Sequence, residues 1–168
     1  MIYEYYTDGA CTLTKTSTGY DKGPGGWAFA LVKDDKVQYS QALPLIHTTN
    51  NEAELSAIYR ALLHYVTHFY SEGTCDKVKI YSDSAYCINI YTQWIRNWEA
   101  NGWRRGKKKE PIENLDIIKI TWELLKKLNE GFREVEFVKV MGHSGNKFNE
   151  VVDKLAVEAK SAAMGLGI

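Results

Sequence analysis

The spacing of apolar residues along the chain predicts five β-strands and four helices. Runs of β-branched and aromatic residues between turn-forming residues predict strands at 2–8, 27–32, 36–43, 77–82 and 135–140. Apolar residues three and four positions apart predict helices at about 50–68, 84–101 in two pieces, 115–129 and 147–163. Thr49 or Asn50 is the expected N-cap of the first helix, and Gly102 should end the second.

The order of these elements predicts an α/β fold with a mixed five-stranded sheet flanked by helices. Few residues join the second and third strands, so the first three should form an antiparallel meander, and the strand after the first helix should run parallel to its neighbour. Residues 12–26 are predicted as a polar loop. Its cluster 23–26 (GPGG) is interpreted as a turn, because a phosphate-binding loop would need a Lys-Ser/Thr pair and a following helix. With no repeat or linker, one domain is expected over 1–168.

Four carboxylates interrupt this apolar pattern. Asp8 and Asp83 each end a predicted strand, Glu54 lies within an apolar helical stripe, and Asp153 lies beside one. Acids so placed are costly unless they are paired or bound to a cation. Taken singly, each has a simpler explanation, as a turn or cap residue or as a surface residue at the edge of a stripe.

Charge is distributed unevenly, although the net charge is +0. Segment 94–110 holds six Lys or Arg residues against two Glu, which indicates a local cationic patch interleaved with Trp94, Trp98 and Trp103. Alternatively, Trp94 and Trp98, four residues apart, form a buried helix stripe and the basic residues form a solvated loop.

Cysteine content and hydropathy bear on the compartment. Three cysteines without CxxC or Cys/His zinc spacing argue against a disulfide scaffold or a zinc site and favour a reducing environment. No apolar run approaches the ~20 residues of a membrane span, and no leader precedes the first strand. We therefore expect a cytoplasmic, monomeric protein that does not bind membranes.

Seven short motifs in order resemble type 1 ribonuclease H, the family that cuts the RNA strand of an RNA/DNA hybrid. Any one of them alone would be weak, but together they cover nearly the whole chain. They are 7–11 (TDGAC), 25–28 (GGWA), 48–55 (TTNNEAEL), 81–84 (YSDS), 94–98 (WIRNW), 101–103 (NGW) and 142–145 (GHSG).

The resemblance implies a metal-dependent endonuclease. Its four metal ligands match Asp8, Glu54, Asp83 and Asp153, which would hold two Mg²⁺, with Mn²⁺ as an alternative. The products would carry 5′-phosphate and 3′-hydroxyl ends. Crowded carboxylates repel one another, so at least one should have a raised pKa. His143 matches the histidine of proton transfer or product departure, although a lone loop histidine is often only a solvated side chain.

The resemblance also implies a set of contacts with the hybrid. Thr49, Asn50 and Asn51 would reach the minor groove, which is compatible with capping the helix. Thr49 and Asn114 would hold a DNA phosphate, but His47 stands where the family normally has Arg, and Ala85 replaces an amide. The remaining expected contacts are Cys11, Trp94, Trp98, Trp103, Arg104, Arg105, Lys107 and Lys108. No separate hybrid-binding domain is predicted, so processivity should be modest.

Two other functions are alternatives to this one. A DNA-cutting integrase or junction resolvase shares the fold, but Asn50, Asn51 and the basic Trp-rich insertion argue against it. A catalytically silent hybrid-binding protein is disfavoured because every expected acid is present.

Overall fold

The computed structural model describes residues 1–71, 73, 75–142 and 145–166. The strands are β1 Ile2–Cys11, β2 Thr14–Thr16, β3 Gly19–Asp21, β4 Gly23–Lys33, β5 Lys36–Thr48, β6 Lys77–Ser82, β7 Arg104–Arg105, β8 Glu110–Pro111 and β9 Glu134–Lys139. The helices are α1 Asn50–His68, α2 Ala85–Asn89, α3 Ile95–Ala100, α4 Leu115–Glu130 and α5 Lys147–Leu166, with a π-helical turn Ile90–Trp94 between α2 and α3.

Five strands form the mixed sheet that the sequence predicts, in the order β5-β4-β1-β6-β9. β1 is antiparallel to β4 and parallel to β6, and β6 is parallel to β9. Asp34 and Asp35 both have positive φ, as a tight turn between twisted antiparallel strands requires. The predicted fold is therefore confirmed, and β1 lies at the centre of the sheet.

Alternating side chains of the central strands cover both faces of the sheet. Tyr5, Phe29 and Leu31 pack with α1 and α4 in the larger core cluster. Small residues of β4, such as Ala28 and Ala30, face α5 on the other side. A side chain at Gly26 would come within 2.5 Å of the Ala159 Cβ, so α5 can approach β4 only because these positions are small.

The glycine cluster 23–26 differs from its prediction. It forms the first residues of β4, and segment 14–21 before it forms the β2–β3 hairpin, so the predicted loop and turn are wrong. The Thr12 N–H donates to the Pro24 carbonyl at 2.9 Å, and a Cβ at Gly23 would collide with the Thr12 carbonyl oxygen. These glycines therefore serve close backbone approach within a sheet.

The second predicted helix and the basic tract have more structure than expected. The two helical pieces are joined through the π-helical turn without a break in the helical backbone. The basic tract, for which a loop or a helix end was expected, forms the short β7–β8 hairpin, which we call the basic hairpin (residues 104–111). Trp103, Gly106 and Lys109 have positive φ and bend the chain there. Within the described residues, none of the helices has the length and apolar character needed to cross a membrane.

Candidate active site

Asp8 lies in the second half of β1 and is almost fully buried, with 3% of its surface exposed. Its Oδ1 accepts a hydrogen bond from the Gly9 N–H at 2.9 Å. A Cβ at Gly9 would lie 2.5 Å from the Ala53 carbonyl carbon and would also collide with the Glu54 backbone nitrogen. The absent side chain at Gly9 therefore lets β1 touch α1, and this contact brings Asp8 next to Glu54.

Glu54 and Asp83 are placed by two capped helix starts. Thr49 caps α1 by accepting from the Glu52 N–H at 3.2 Å, which sets the first turn before Glu54. Ser84 caps α2 by accepting from the Cys87 N–H at 3.2 Å, which fixes the chain directly after Asp83. Glu54 is buried and Asp83 is half-buried.

Three of the four predicted metal ligands come together. One carboxylate oxygen from each of Asp8, Glu54 and Asp83 lies within 4.8 Å of the other two. Asp153, half-buried on α5, lies outside this group of three. Its negative charge is nevertheless close enough to raise the pKa of Asp8. We call Asp8, Glu54 and Asp83 the acid cluster.

Burial and mutual repulsion make the acid cluster hold a proton. Burial, together with the charges of Asp83 and Asp153, raises the pKa of Asp8 to about 7. Burial, followed by the charge of Asp8, raises the pKa of Glu54 well above its ordinary value. The hydrogen bond between the two side chains lowers the pKa of Asp8 and raises that of Glu54, so Glu54 keeps the shared proton.

The acid cluster has the chemistry of a divalent-cation site. Its donors are hard carboxylate oxygens, which suit Mg²⁺ or Mn²⁺ better than softer metals. The Glu54 Oε2 is buried and has no hydrogen-bond partner within the described part of the chain. A cation would satisfy this oxygen and neutralise the crowded charge, so the residues fit a bound metal.

His143 lies outside the described residues, so its predicted role stays a prediction. Gly142, directly before it, lies beside the acid cluster. A Cβ at Gly142 would be 3.3 Å from the Asp83 Oδ2. The residue directly before His143 therefore lies next to Asp83.

The predicted minor-groove and phosphate residues gather where β5 runs into α1. Thr49 and Asn51 are half-buried, and Asn50 is exposed at the helix start. The Cys11 thiol donates to the Thr48 carbonyl at 3.3 Å, which ties the end of β1 to the same place. Asn114 precedes α4 with a left-handed backbone (φ 59°), and its side chain does not cap that helix.

The tryptophans and the basic residues form a second region. Trp94, Trp98 and Trp103 are half-buried against the larger core cluster, so the indoles serve packing, as the alternative interpretation held, while part of each stays accessible. The Lys119 ammonium lies 5.3 Å from the Trp103 ring centre. The basic residues beside them are exposed, namely Arg104, Arg105, Lys107 and Lys108.

Lys22 is one residue that the sequence reasoning missed. It follows the β2–β3 hairpin and lines two cavities, one with His47 and one with Asn114. Its sequence position gave no signal, because segment 12–26 was predicted as a polar loop.

Comparison with known proteins shows one family. The family model for RNase H matches residues 2–161. The chain is 38% identical over 159 residues to the ribonuclease H of Caldanaerobacter subterraneus subsp. tengcongensis, covering 94% of this chain and 90% of that protein. It is 40% identical over 162 residues to the ribonuclease H of Pseudoalteromonas atlantica, with the same coverage of both.

Solved structures agree on the fold. The solution structure of the PFV RNase H domain matches with a TM-score of 0.74 at 20% identity, covering 95% of this chain and 94% of that one. The crystal structure of LC9-RNase H1, a type 1 RNase H with the type 2 active-site motif, matches with a TM-score of 0.70 at 24% identity, covering 96% and 73%.

Proposed function

The chain belongs to the ribonuclease H family, and we propose that it hydrolyses the RNA strand of RNA/DNA hybrids with two Mg²⁺ ions held by Asp8, Glu54, Asp83 and Asp153. The observation that carries the proposal is the convergence of three carboxylates within 4.8 Å, in a chain whose family match spans residues 2–161. Mn²⁺ would serve the same oxygen donors.

The protein's contribution to the reaction is to hold charge and position. When bound, the two ions supply an activated water and stabilise the departing 3′ oxygen in an in-line displacement. Asp8 and Glu54, placed side by side by the β1–α1 contact, would hold the ions as carboxylates, so their shared proton would have to leave first. Asp83, half-buried at the end of β6, completes the cluster, and Asp153 adds a fourth carboxylate from α5.

Recognition of the hybrid is assigned to two regions, the start of α1 and the basic hairpin. Thr49, Asn50 and Asn51 at the start of α1 would contact the 2′-hydroxyls of the RNA strand, which separate RNA from DNA. The basic hairpin would neutralise phosphates of the DNA strand. His143 is proposed to move a proton or to assist product departure. The monomeric state, the single-domain organisation and the cytoplasmic location also stay predictions.

Cleavage of a labelled hybrid tests the function. We expect the RNA strand to be cut in Mg²⁺, leaving 3′-hydroxyl ends that a polymerase can extend, and no cutting after chelation. Asp83→Asn should lose at least about 10²-fold in rate, because it removes one of the converging carboxylates. Cleavage of duplex DNA but not of hybrid would instead support a DNA nuclease. Tight binding without turnover in Mg²⁺ or Mn²⁺ would support a silent hybrid-binding protein.

A separate prediction concerns the basic hairpin. Replacing Lys107 and Lys108 together by Gln should weaken hybrid binding and lower the slope of log K against log salt by about 2, one for each lost phosphate contact. KM should rise while kcat stays nearly constant, since neither lysine belongs to the acid cluster. Lys33→Gln/Lys36→Gln, two exposed lysines at the β4–β5 turn, is the matched control. An equal slope for both double variants would contradict the assignment.

A further inference from the structure

Lys22 lies between two adjoining cavities at the edge of the proposed hybrid-binding region. The first cavity, about 300 Å³, is lined by Lys22 and His47 among others. The second, about 410 Å³, is lined by Lys22, Glu52 and Asn114, together with residues at the start of α4. Lys22 is the one cation among the described residues that line the second cavity.

The backbone around Lys22 is held firmly. Gly23 pairs with Thr48 in the β4–β5 ladder, so Lys22, one residue earlier, lies across the antiparallel pair from Thr49. The Lys22 N–H donates to the Asp21 Oδ1 at 2.7 Å, and the close contact of Gly23 with the Thr12 backbone fixes the base of the hairpin. The Lys22 side chain is exposed, and no ion pair of its ammonium occurs within the described residues. The backbone of Lys22 therefore lies across from that of Thr49, and its charged side chain is exposed to solvent.

The charges of the second cavity explain why Lys22 matters. Glu52 and Asp116 also line it, and the Glu52 carboxylate is held in place by the Thr48 hydroxyl at 2.6 Å. Without Lys22 the charged groups of this cavity would all be negative, and a phosphate would be repelled. The Asn114 amide in this cavity offers neutral hydrogen bonds, as does the hydroxyl of Thr49, three residues before Glu52. His47, which lines the first cavity, lacks the permanent charge and the forked donors of arginine.

We propose that Lys22 supplies the positive charge that holds a phosphate of the DNA strand beside Thr49 and Asn114. Lys22 supplies the permanent positive charge that His47 lacks, and the negative charge of Glu52 opposes the binding of the phosphate. This inference rests on the proposed function, because the ligand is the DNA strand of the hybrid. It makes Lys22 a binding residue for the substrate and not a catalytic one.

Removal of the charge provides the first test. Lys22→Ala should weaken hybrid binding about five- to tenfold at low salt and lower the salt slope by about 1, while kcat at saturating hybrid stays within twofold of wild type. Lys22→Arg should keep the wild-type affinity. Lys15→Ala, an exposed lysine on the same hairpin that lines neither cavity, should bind like wild type. Glu52→Gln should strengthen binding, because it removes an opposing charge.

A hybrid with one neutral methylphosphonate in the DNA strand provides the second test. When the neutral linkage is moved along the strand, wild type should lose affinity at one position, and Lys22→Ala should be insensitive at that same position. A Lys22→Ala variant that binds like Lys15→Ala, or that still responds to the same methylphosphonate, would overturn the inference. In either case a wild-type protein that cuts the hybrid leaves the proposed function standing, whereas a wild type that leaves it uncut refutes that function directly.

Discussion

Replacing Asp8 by Asn should abolish hydrolysis and at the same time stabilise the metal-free protein. The rate should fall about 10³-fold or more, the scale expected for losing metal-based stabilisation of the transition state. At pH 8 without metal, the free energy of unfolding should rise by about 2–4 kcal/mol, because Asp8 is a buried anion next to Glu54 and Asp83. Asparagine keeps the shape and removes the charge.

The sign of the pH dependence follows from the raised pKa. Between about pH 4 and pH 7 the folded protein keeps a proton at Asp8, with a pKa of about 7, that the unfolded chain releases. The folded state then binds more protons, so the free energy of unfolding of wild type should fall as pH rises through this window. Above about pH 7 this contribution is fully lost. Asp8→Asn should show a shallower slope, because the titration of Asp8 itself is removed, although burial still raises the pKa of Glu54.

Urea unfolding at several pH values, in chelator and in Mg²⁺, measures both effects. Mg²⁺ should stabilise wild type at pH 8 more than it stabilises Asp8→Asn, because the variant has lost a ligand. Glu158→Gln, which removes an exposed acid on α5, is the control and should leave stability and activity unchanged. An Asp8→Asn protein that is no more stable than wild type in chelator would contradict the raised pKa.

The strands of the main sheet, the long helices and the unusual positions of the acids were predictable from local pattern, whereas the role of the acids as metal ligands came from the resemblance to ribonuclease H. β1 runs parallel to β6 and continues past it, so Asp8 within β1 and Asp83 directly after β6 lie at the same edge of this strand pair. Glu54 stood out as an acid within the apolar stripe of α1. Hydrophobic patterns that repeat every two or 3.6 residues depend only on neighbouring residues, so they predict strands and helices from the sequence alone.

Features set by contacts between distant segments could not be predicted in this way. Glycine favours turns in general, so Gly23 was interpreted as part of one. Its actual role depends on Thr12 lying against it. Asp153 lies outside the group of three. Its position depends on how α5 packs on β4, and the local sequence does not predict that packing. Lys22 lies beside the end of β5 because its neighbour Gly23 pairs with Thr48, and this contact between distant segments was not visible in the local sequence.

Adding a methyl group at Gly9 should be the most disruptive small substitution near the site. In Gly9→Ala the new Cβ would meet backbone atoms of Ala53 and Glu54, which cannot rotate away as a side chain would. β1 and α1 would have to separate, at a cost of about 3 kcal/mol or more. Because the same contact places Asp8 next to Glu54, any folded fraction should also bind Mg²⁺ more weakly and cleave hybrid slowly.

Gly165→Ala is the matched control: a Cβ there meets no atom within 4 Å, and alanine in α5 should stabilise by about 0.5–1 kcal/mol. Urea unfolding midpoints measure the loss of stability, and Mg²⁺ titration at a temperature where both variants are folded measures the loss of metal binding. A Gly9→Ala protein with the wild-type midpoint and activity would show that β1 and α1 are not in the tight contact described.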